Sequence, residues 1–126
     1  MRRIISTEGA PKAIGTYSQA VKHGNTVYIS GQIPLVPETM EVCTGDFPDR
    51  VRQAFRNLEA IVAAAGGKLS NVVKLTIYLI DMSVFDQVNA VMSQVWEGEY
   101  PARAVVAVAG LPKGVDIEMD AIMVLD

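Results

Sequence analysis

Residues 72–80 restrict the possible folds more than any other segment, because this stretch has apolar residues on both faces of a strand. Such a pattern is typical of a central strand that is covered on both faces. Only two other segments have helical periodicity. The order strand, hairpin, helix, strand, helix, strand, strand places both helices on one face of a mixed sheet. The sequence therefore predicts a two-layer α+β sandwich whose second face is covered by another copy of the chain.

Two helices are predicted from apolar residues that recur at helical spacing. The first covers residues 49–65, with Asp46 as its N-terminal cap and Gly66 as its left-handed stop. The second begins at Ser83, where Asp86 is expected to complete a capping box.

The remaining apolar segments are predicted to be strands. Residues 16–22 and 26–33 flank the turn residues 23–25, whose sequence His-Gly-Asn favours an antiparallel hairpin. Residues 102–108 and 115–125 flank a loop that contains two glycines and a proline. We expect these last two strands to pair directly with each other.

Composition limits the class of protein. The chain has 126 residues, of which 50% are hydrophobic and 20% charged, and this predicts a single domain spanning residues 1–126. A formal net charge of −3 argues against general attraction to nucleic acid or anionic lipid. No signal peptide or membrane span is recognisable, so we expect a cytoplasmic protein. One cysteine and one histidine are too few for an intrachain zinc site, and we expect no metal.

Several common catalytic arrangements are missing from the sequence. It contains no phosphate-binding glycine-rich loop, CxxC, HExxH or nucleophile elbow. His23 belongs to a turn and is expected to point to water rather than act as a base. Cys43 follows Pro37 in a long loop without a neighbouring histidine, which argues against a nucleophilic thiol.

Arg103 is the first candidate functional residue, because it opens a strand whose following five residues are all apolar. It is either a surface cation at a strand end or a group that binds a carboxylate in a cleft. The planar guanidinium can bind a carboxylate through two parallel hydrogen bonds. The sequence leaves both interpretations open.

Glu118 is the second candidate, and it alternates with Asp116 and Asp120 along one strand face. This pattern fits a solvated acidic face, but it also fits a general acid or base whose pKa is raised by its two like-charged neighbours and by partial burial. Because the strands of Arg103 and Glu118 are expected to pair, we expect both side chains to share one cleft.

Four further residues are ambiguous when they are considered alone. Tyr17 and Ser30 are on adjacent strands of the predicted hairpin, and Gly31 can mark a bulge or the close approach of a ligand. Asn89 is placed in the apolar stripe of the second helix, where a structural hydrogen bond is the simpler explanation.

Five segments match a known pattern in their order and spacing: APKAIGTYSQA (10–20), SGQIP (30–34), VN (88–89), PAR (101–103) and IEM (117–119). Through them the whole chain resembles the reactive intermediate deaminase A (RidA, YjgF) family. The resemblance implies a chorismate-mutase-like fold and a homotrimer with three clefts between subunits. It also implies hydrolysis of reactive 2-aminoacrylate and 2-imino acids, such as 2-iminopropanoate and 2-iminobutanoate, to 2-oxo acids and ammonia without a cofactor.

The same resemblance implies roles for individual residues. Arg103 matches the carboxylate-binding arginine, and Glu118 matches the glutamate that positions or activates the hydrolytic water. Many members have Ser-Cys after the arginine, where this chain has Ala104 and Val105. The resemblance assigns water binding at the second of these positions to the backbone carbonyl, which Val105 retains although the thiol is lost. The other matching cleft positions are Tyr17, Ser30, Gly31 and Asn89.

Three alternatives remain open at this point. One is a regulatory protein that binds small carboxylates without turnover, but such a protein would need Arg103 and not Glu118. A second is an endoribonuclease or translation inhibitor, against which the acidic balance and the lack of a basic stripe argue. The third is a chaperone-like protein that holds unfolded chains.

Overall fold

The computed structural model describes residues 1–126 and places two helices on one face of a six-stranded sheet. No helix combines the length and the apolarity that crossing a bilayer requires. In chain order the elements are β1 (Arg2–Ile5), β2 (Ala20–His23), β3 (Thr26–Gln32), β4 (Leu35–Val36), β5 (Glu41–Val42), α1 (Phe47–Ala64), β6 (Val72–Leu79), α2 (Phe85–Val95), β7 (Ala102–Ala107) and β8 (Ile117–Val124).

The strand order of the large sheet is β1-β2-β3-β8-β6-β7, and β4 and β5 form a separate two-stranded sheet. Only β6 and β7 pair in parallel, so the sheet is mixed, as predicted. The expected direct pairing of the last two strands is wrong. The crossover through α2 places β7 on the outer side of β6, and β8 enters antiparallel between β3 and β6.

The predicted N-terminal cap and glycine stop of α1 are confirmed, although the helix begins two residues earlier than predicted. The Asp46 carboxylate accepts a hydrogen bond from the backbone N–H of Asp49, and the Asp49 carboxylate accepts one from the backbone of Asp46. At the other end Gly66 has a φ of 92°, a left-handed conformation that glycine adopts without strain.

The predicted cap of α2 is wrong. Asp81 accepts from the backbone N–H of Ser83 and starts a short 3-10 turn, and α2 begins only at Phe85 without a side-chain cap. The Asp81 carboxylate therefore provides the capping hydrogen bond that was expected from Ser83 and Asp86.

The hydrophobic core lies between the helices and the sheet. Alternate residues of β6 and β8 point into it, as the pleat of a strand requires. In β6 these are Leu75, Ile77 and Leu79, all fully buried, against Val51, Phe55 and Leu58 of α1.

The opposite face of the sheet is not apolar throughout, which corrects the expectation for residues 72–80. There β6 presents Lys74, Thr76 and Tyr78. The Tyr78 hydroxyl donates to the Asp120 carboxylate at 2.7 Å, and this hydrogen bond, with burial, raises the pKa of Tyr78 to about 12. The face also leaves Tyr28 53% exposed, so it combines internally paired polar groups with apolar surface.

A buried pair of amides ties the small β4–β5 sheet to α1. Asn57, fully buried, donates to the carbonyl oxygens of Ile33 at 3.1 Å and Leu35 at 2.9 Å. Its own side-chain oxygen accepts from Gln53 at 3.0 Å. The segment after β3 is therefore fixed by side chains of the helix, since it has no long strand of its own.

Replacing Asn57 with alanine leaves two backbone carbonyls and the Gln53 amide without a partner. We expect Asn57→Ala to lower the free energy of unfolding by about 2–3 kcal/mol, measured by urea denaturation. The matched control is Gln87→Ala, an exposed amide on α2 with no side-chain hydrogen bond, which should change stability by less than about 0.5 kcal/mol. Equal effects of the two substitutions would contradict this account of the amide pair.

Candidate functional site

Arg103 lies on the helix side of the sheet at its outer edge, because it pairs with Leu75 across β6 and β7. Its Nη1 donates to the side-chain oxygen of Asn89 at 2.8 Å and lies 3.5 Å from the sulfur of Met92. The guanidinium carbon is 5.4 Å from the centre of the Phe85 ring, a cation–π distance. Arg103 forms none of the chain's salt bridges, so neutral groups alone hold it in place.

The guanidinium of Arg103 opens into a cavity of about 530 Å³ between α2 and the start of β7. No carboxylate of this chain contacts the group, so N–H donors remain for a ligand. The cavity is lined by Asn89, Met92, Ser93, Tyr100, Pro101 and Arg103.

Glu118 lies on the other face of the sheet, where it pairs with Tyr78. Burial raises the pKa of its half-buried carboxyl group, and the negative charge of Asp120 raises it further. Asp116 does not contribute, which corrects one part of the expectation. Its carboxylate is bound instead by Arg50 at 2.7 Å in a two-pronged ion pair.

Gly31 is required by the close approach of Glu118. The pairing of β3 with β8 shifts register between Ile29 and Gln32, so Gly31 occupies an irregular stretch of β3. A Cβ atom at this position would lie 2.8 Å from the carboxyl carbon of Glu118 and closer still to one carboxylate oxygen. The absent side chain therefore makes room for the Glu118 carboxylate, as the sequence suggested for a close approach.

A second cavity of about 460 Å³ surrounds Glu118. Two of its lining residues, Met40 and Lys113, are the only non-glycine residues with positive φ, at 60° and 56°. Each costs about 1 kcal/mol or more of backbone strain, and such strain clusters at functional sites. The lining residues are Lys12, Ile14, Tyr17, Ser30, Gly31, Ile33, Leu35, Met40, Pro112, Lys113 and Glu118.

Gln19, which the sequence reasoning did not select, fixes the loop that carries Tyr17. Its buried amide donates to the carbonyl oxygens of Thr7 at 3.0 Å and Pro11 at 2.8 Å, and its oxygen accepts from the Thr7 backbone at 2.7 Å. The predicted strand 16–22 is shorter than expected and begins only at Ala20, directly after Gln19. A lone glutamine in a loop carries no sequence signal for such a role.

The structure divides the predicted site residues into two groups. Tyr17, Ser30 and Gly31 surround Glu118, whereas Asn89 contacts Arg103. The two cavities share no residue, and their central side chains lie on opposite faces of the sheet. The expectation that one cleft of a single chain holds both Arg103 and Glu118 is therefore wrong.

The remaining candidates lie outside these two groups. Val105 follows the arginine on β7, is half-buried and packs against the core. The Cys43 thiol is 3.9 Å from the carbonyl oxygen of Asp49, in the loop before α1. No group of three or more histidine, cysteine, aspartate or glutamate side chains is arranged to hold a metal ion.

Comparison with known proteins identifies the family. The model of the family described as endoribonuclease L-PSP matches residues 7–125. The chain belongs to this family, which is the YjgF/RidA family, and the resemblance drawn from the five sequence segments is confirmed.

Full-length relatives agree with this assignment. The chain is 46% identical over 125 residues to a protein of Dermatophagoides farinae named 2-iminobutanoate/2-iminopropanoate deaminase, covering 99% of this chain and 98% of the relative. The crystal structure of RidA from an Antarctic Psychrobacter species matches with a TM-score of 0.94 and 50% identity, covering 98% of this chain and 99% of that one. Escherichia coli TdcF, crystallised with bound serine, matches with a TM-score of 0.95 and 41% identity over 98% and 99% of the two chains.

The unequal influence of the two aspartates on Glu118 can be measured. We expect Asp120→Asn to lower the pKa of Glu118, because it removes the charge next to the carboxyl group and keeps an acceptor for Tyr78. Burial still acts on the carboxyl group in this variant, so its pKa stays above the ordinary value. The measurement is a titration of the Glu118 side-chain carbon resonance.

The matched control for this titration is Asp116→Asn. It removes the same charge from the other neighbour on the strand, and the pKa of Glu118 should not move. A larger shift in Asp116→Asn than in Asp120→Asn would contradict the assignment.

Proposed function

We propose that this chain, as a single cytoplasmic domain spanning residues 1–126, is a hydrolytic deaminase that converts reactive 2-imino acids into 2-oxo acids and ammonia. Its substrates are 2-iminopropanoate and 2-iminobutanoate, together with 2-aminoacrylate, the enamine that becomes 2-iminopropanoate when a proton moves from its nitrogen to its terminal carbon. The relative named for the last two imino acids supports this substrate class at 46% identity over nearly the whole chain. The serine bound to TdcF supports a small ligand that carries a carboxylate.

The observation that carries the proposal is that Arg103 has no ion-pair partner and faces a cavity. A guanidinium that is held only by an amide, a thioether and an aromatic ring, and that opens into a cavity, has free donors for a carboxylate. A 2-imino acid has that carboxylate next to its C=N bond. Arg103 binds the carboxylate, Asn89 orients the guanidinium, and the imine carbon is thereby held in one place.

Glu118 performs the proton transfers. Its carboxylate accepts a proton from water while the water oxygen bonds to the imine carbon. The electron pair of the C=N bond moves to nitrogen, and nitrogen takes the proton from the Glu118 carboxyl group. The hydroxyl proton of this intermediate then passes through Glu118 to nitrogen. The C–N bond breaks as the C=O bond forms, and the products are ammonia and a 2-oxo acid. Since burial raises the pKa of Glu118, its carboxylate is a stronger base than that of an exposed glutamate and takes a proton from water more readily.

The complete cleft is formed by two copies of the chain. Arg103 and Glu118 lie on opposite faces of the sheet and line separate cavities, so a neighbouring copy has to bring its Arg103 edge to the Glu118 cavity. The family resemblance implies a homotrimer of the chorismate-mutase-like type with three such clefts. The partly apolar outer face of the sheet, with Tyr28 half-exposed, supports this association.

The other candidate residues complete the cleft. Tyr17 and Ser30 form the wall beside Glu118, and Gly31 gives the carboxylate room. The backbone carbonyl of Val105 takes the water-binding role that the family ascribes to this position. No cofactor takes part, because the imine is already electrophilic and positioning with proton transfer is sufficient.

The proposed activity can be tested by coupling the protein to threonine dehydratase and following imine decay with a semicarbazide trap. The wild-type protein should accelerate decay at catalytic concentration. Arg103→Ala should lower kcat/KM on the order of 100-fold, because two charge-assisted hydrogen bonds to the carboxylate are lost. The matched control is Arg56→Ala, an exposed arginine on α1 that forms no salt bridge, which should keep the wild-type rate.

Imine decay that the wild-type protein does not accelerate would contradict the deaminase proposal. Equal rates for Arg103→Ala and Arg56→Ala would remove Arg103 from the mechanism. RNA cleavage that survives purification and is lost in Glu118→Gln would instead support the nuclease that the description of the family model names.

A further inference from the structure

Met40 has a backbone conformation that is unusual for its residue type. It closes the four-residue loop between β4 and β5, where its N–H donates to the carbonyl oxygen of Val36 at 2.7 Å. Its φ of 60° is left-handed. Hairpin loops of this kind commonly end in a left-handed residue, and glycine is favoured there because it has no Cβ. Methionine therefore occupies a position that backbone geometry alone would give to glycine.

The surrounding structure holds Met40 in this conformation. Leu35, the first residue of the same hairpin, is buried, and its carbonyl oxygen accepts from Asn57 on α1. The carbonyl oxygen of Val36 accepts two hydrogen bonds, one from the backbone N–H of Met40 and one from that of Thr39 at 3.3 Å. A hairpin that is fixed at both its base and its tip cannot relax the strained residue, which is how such strain persists.

Met40 is half-buried and is one of the residues that line the Glu118 cavity. Together with Ile14, Ile33, Leu35 and Pro112 it makes the apolar part of that wall. An unbranched thioether fills irregular apolar space and yields to neighbours more readily than a branched side chain. A ligand whose reacting carbon lies at Glu118 would therefore place an alkyl side chain against this wall.

We propose that Met40 is a specificity-determining residue that limits the length of the ligand's alkyl side chain. This inference rests on the proposed function, because it takes the ligand to be a 2-imino acid or the 2-oxo acid formed from it. Met40 occupies cavity volume that a longer chain would need, so short side chains fit and long ones are excluded. The strained backbone is kept because the side chain is needed in the wall.

Binding of stable product-type acids tests the proposal without turnover. Isothermal titration of 2-oxobutanoate and 2-oxohexanoate measures how strongly the protein discriminates against two additional methylenes. We expect Met40→Ala to improve the affinity for 2-oxohexanoate relative to 2-oxobutanoate by about tenfold, because a pocket discriminates at least this strongly per methylene. Met40→Leu keeps the volume and should keep the wild-type ratio within about threefold.

A glycine variant separates the side chain from the backbone. Met40→Gly should show the same relaxed ratio as Met40→Ala, because both remove the side chain from the cavity. The two variants should differ in stability: Met40→Gly should unfold at a higher thermal midpoint than Met40→Ala, because glycine adopts a φ of 60° without a Cβ clash. The matched control is Met82→Ala, an exposed methionine outside both cavities, which should keep the wild-type ratio.

An unchanged ratio in folded Met40→Ala and Met40→Gly would overturn the proposal. So would a wild-type protein that binds both acids equally or neither of them. The deaminase proposal is judged separately by the semicarbazide assay. Wild-type protein that binds 2-oxo acids with the expected preference for short chains but does not accelerate imine decay would refute the deaminase and leave the role of Met40 intact.

Discussion

The pleat of three neighbouring strands determines what this chain can do alone. Arg103 pairs with Leu75 and therefore points to the helix side, whereas Glu118 pairs with Tyr78 and points to the opposite side. Because β6 lies between β7 and β8, no rotamer change brings the two side chains together across the sheet. Each group has its own cavity: Arg103 has neutral neighbours, whereas Glu118 has Asp120 beside it and two lysines in its cavity wall. Within one chain the Arg103 cavity and the Glu118 cavity therefore stay separate.

Polar side chains, two of them buried amides, hold the segments around Glu118 in place. Gln19 fixes the loop that precedes β2, and Asn57 fixes the segment that follows β3. Arg50 binds both the carbonyl oxygen of Gly45 at 2.7 Å and the carboxylate of Asp116 at the entrance to β8. The irregular segments around Glu118 are thus made rigid by a few hydrogen bonds, which cost little free energy because no buried side-chain polar atom is left unpaired.

The local parts of this architecture could be predicted from the sequence. The period of the apolar residues and the carboxylate at Asp46 predicted α1 because helices and their caps depend on neighbours in the chain. The turn Gly24–Asn25 predicted the first hairpin for the same reason. Gly31 was recognised as a point of close approach, although only the structure shows that the approaching group is the Glu118 carboxylate.

The order of the strands could not be predicted, because it is decided by contacts between distant segments. The expected pairing of the last two strands followed from their proximity in the sequence, but burial of Ile117 and Met119 beneath α1 places β8 between β3 and β6. That single error also produced the expectation of one shared cleft. The sequence did not reveal that the outward face of β6 is polar. Thr76 and Tyr78 are common in strands and were therefore counted with the apolar residues of the segment.

The central claim is that one copy supplies Arg103 and another supplies Glu118 to each cleft. It is tested most directly by mixing subunits of Arg103→Ala with subunits of Glu118→Gln, each of which should have little activity alone, and assaying imine hydrolysis by the mixed oligomer. In a random equal mixture, about one quarter of the clefts of a closed ring receive both intact residues, so about one quarter of the wild-type rate should return. Mixed oligomers, verified by native mass spectrometry, that stay as inactive as the separate variants would contradict the claim.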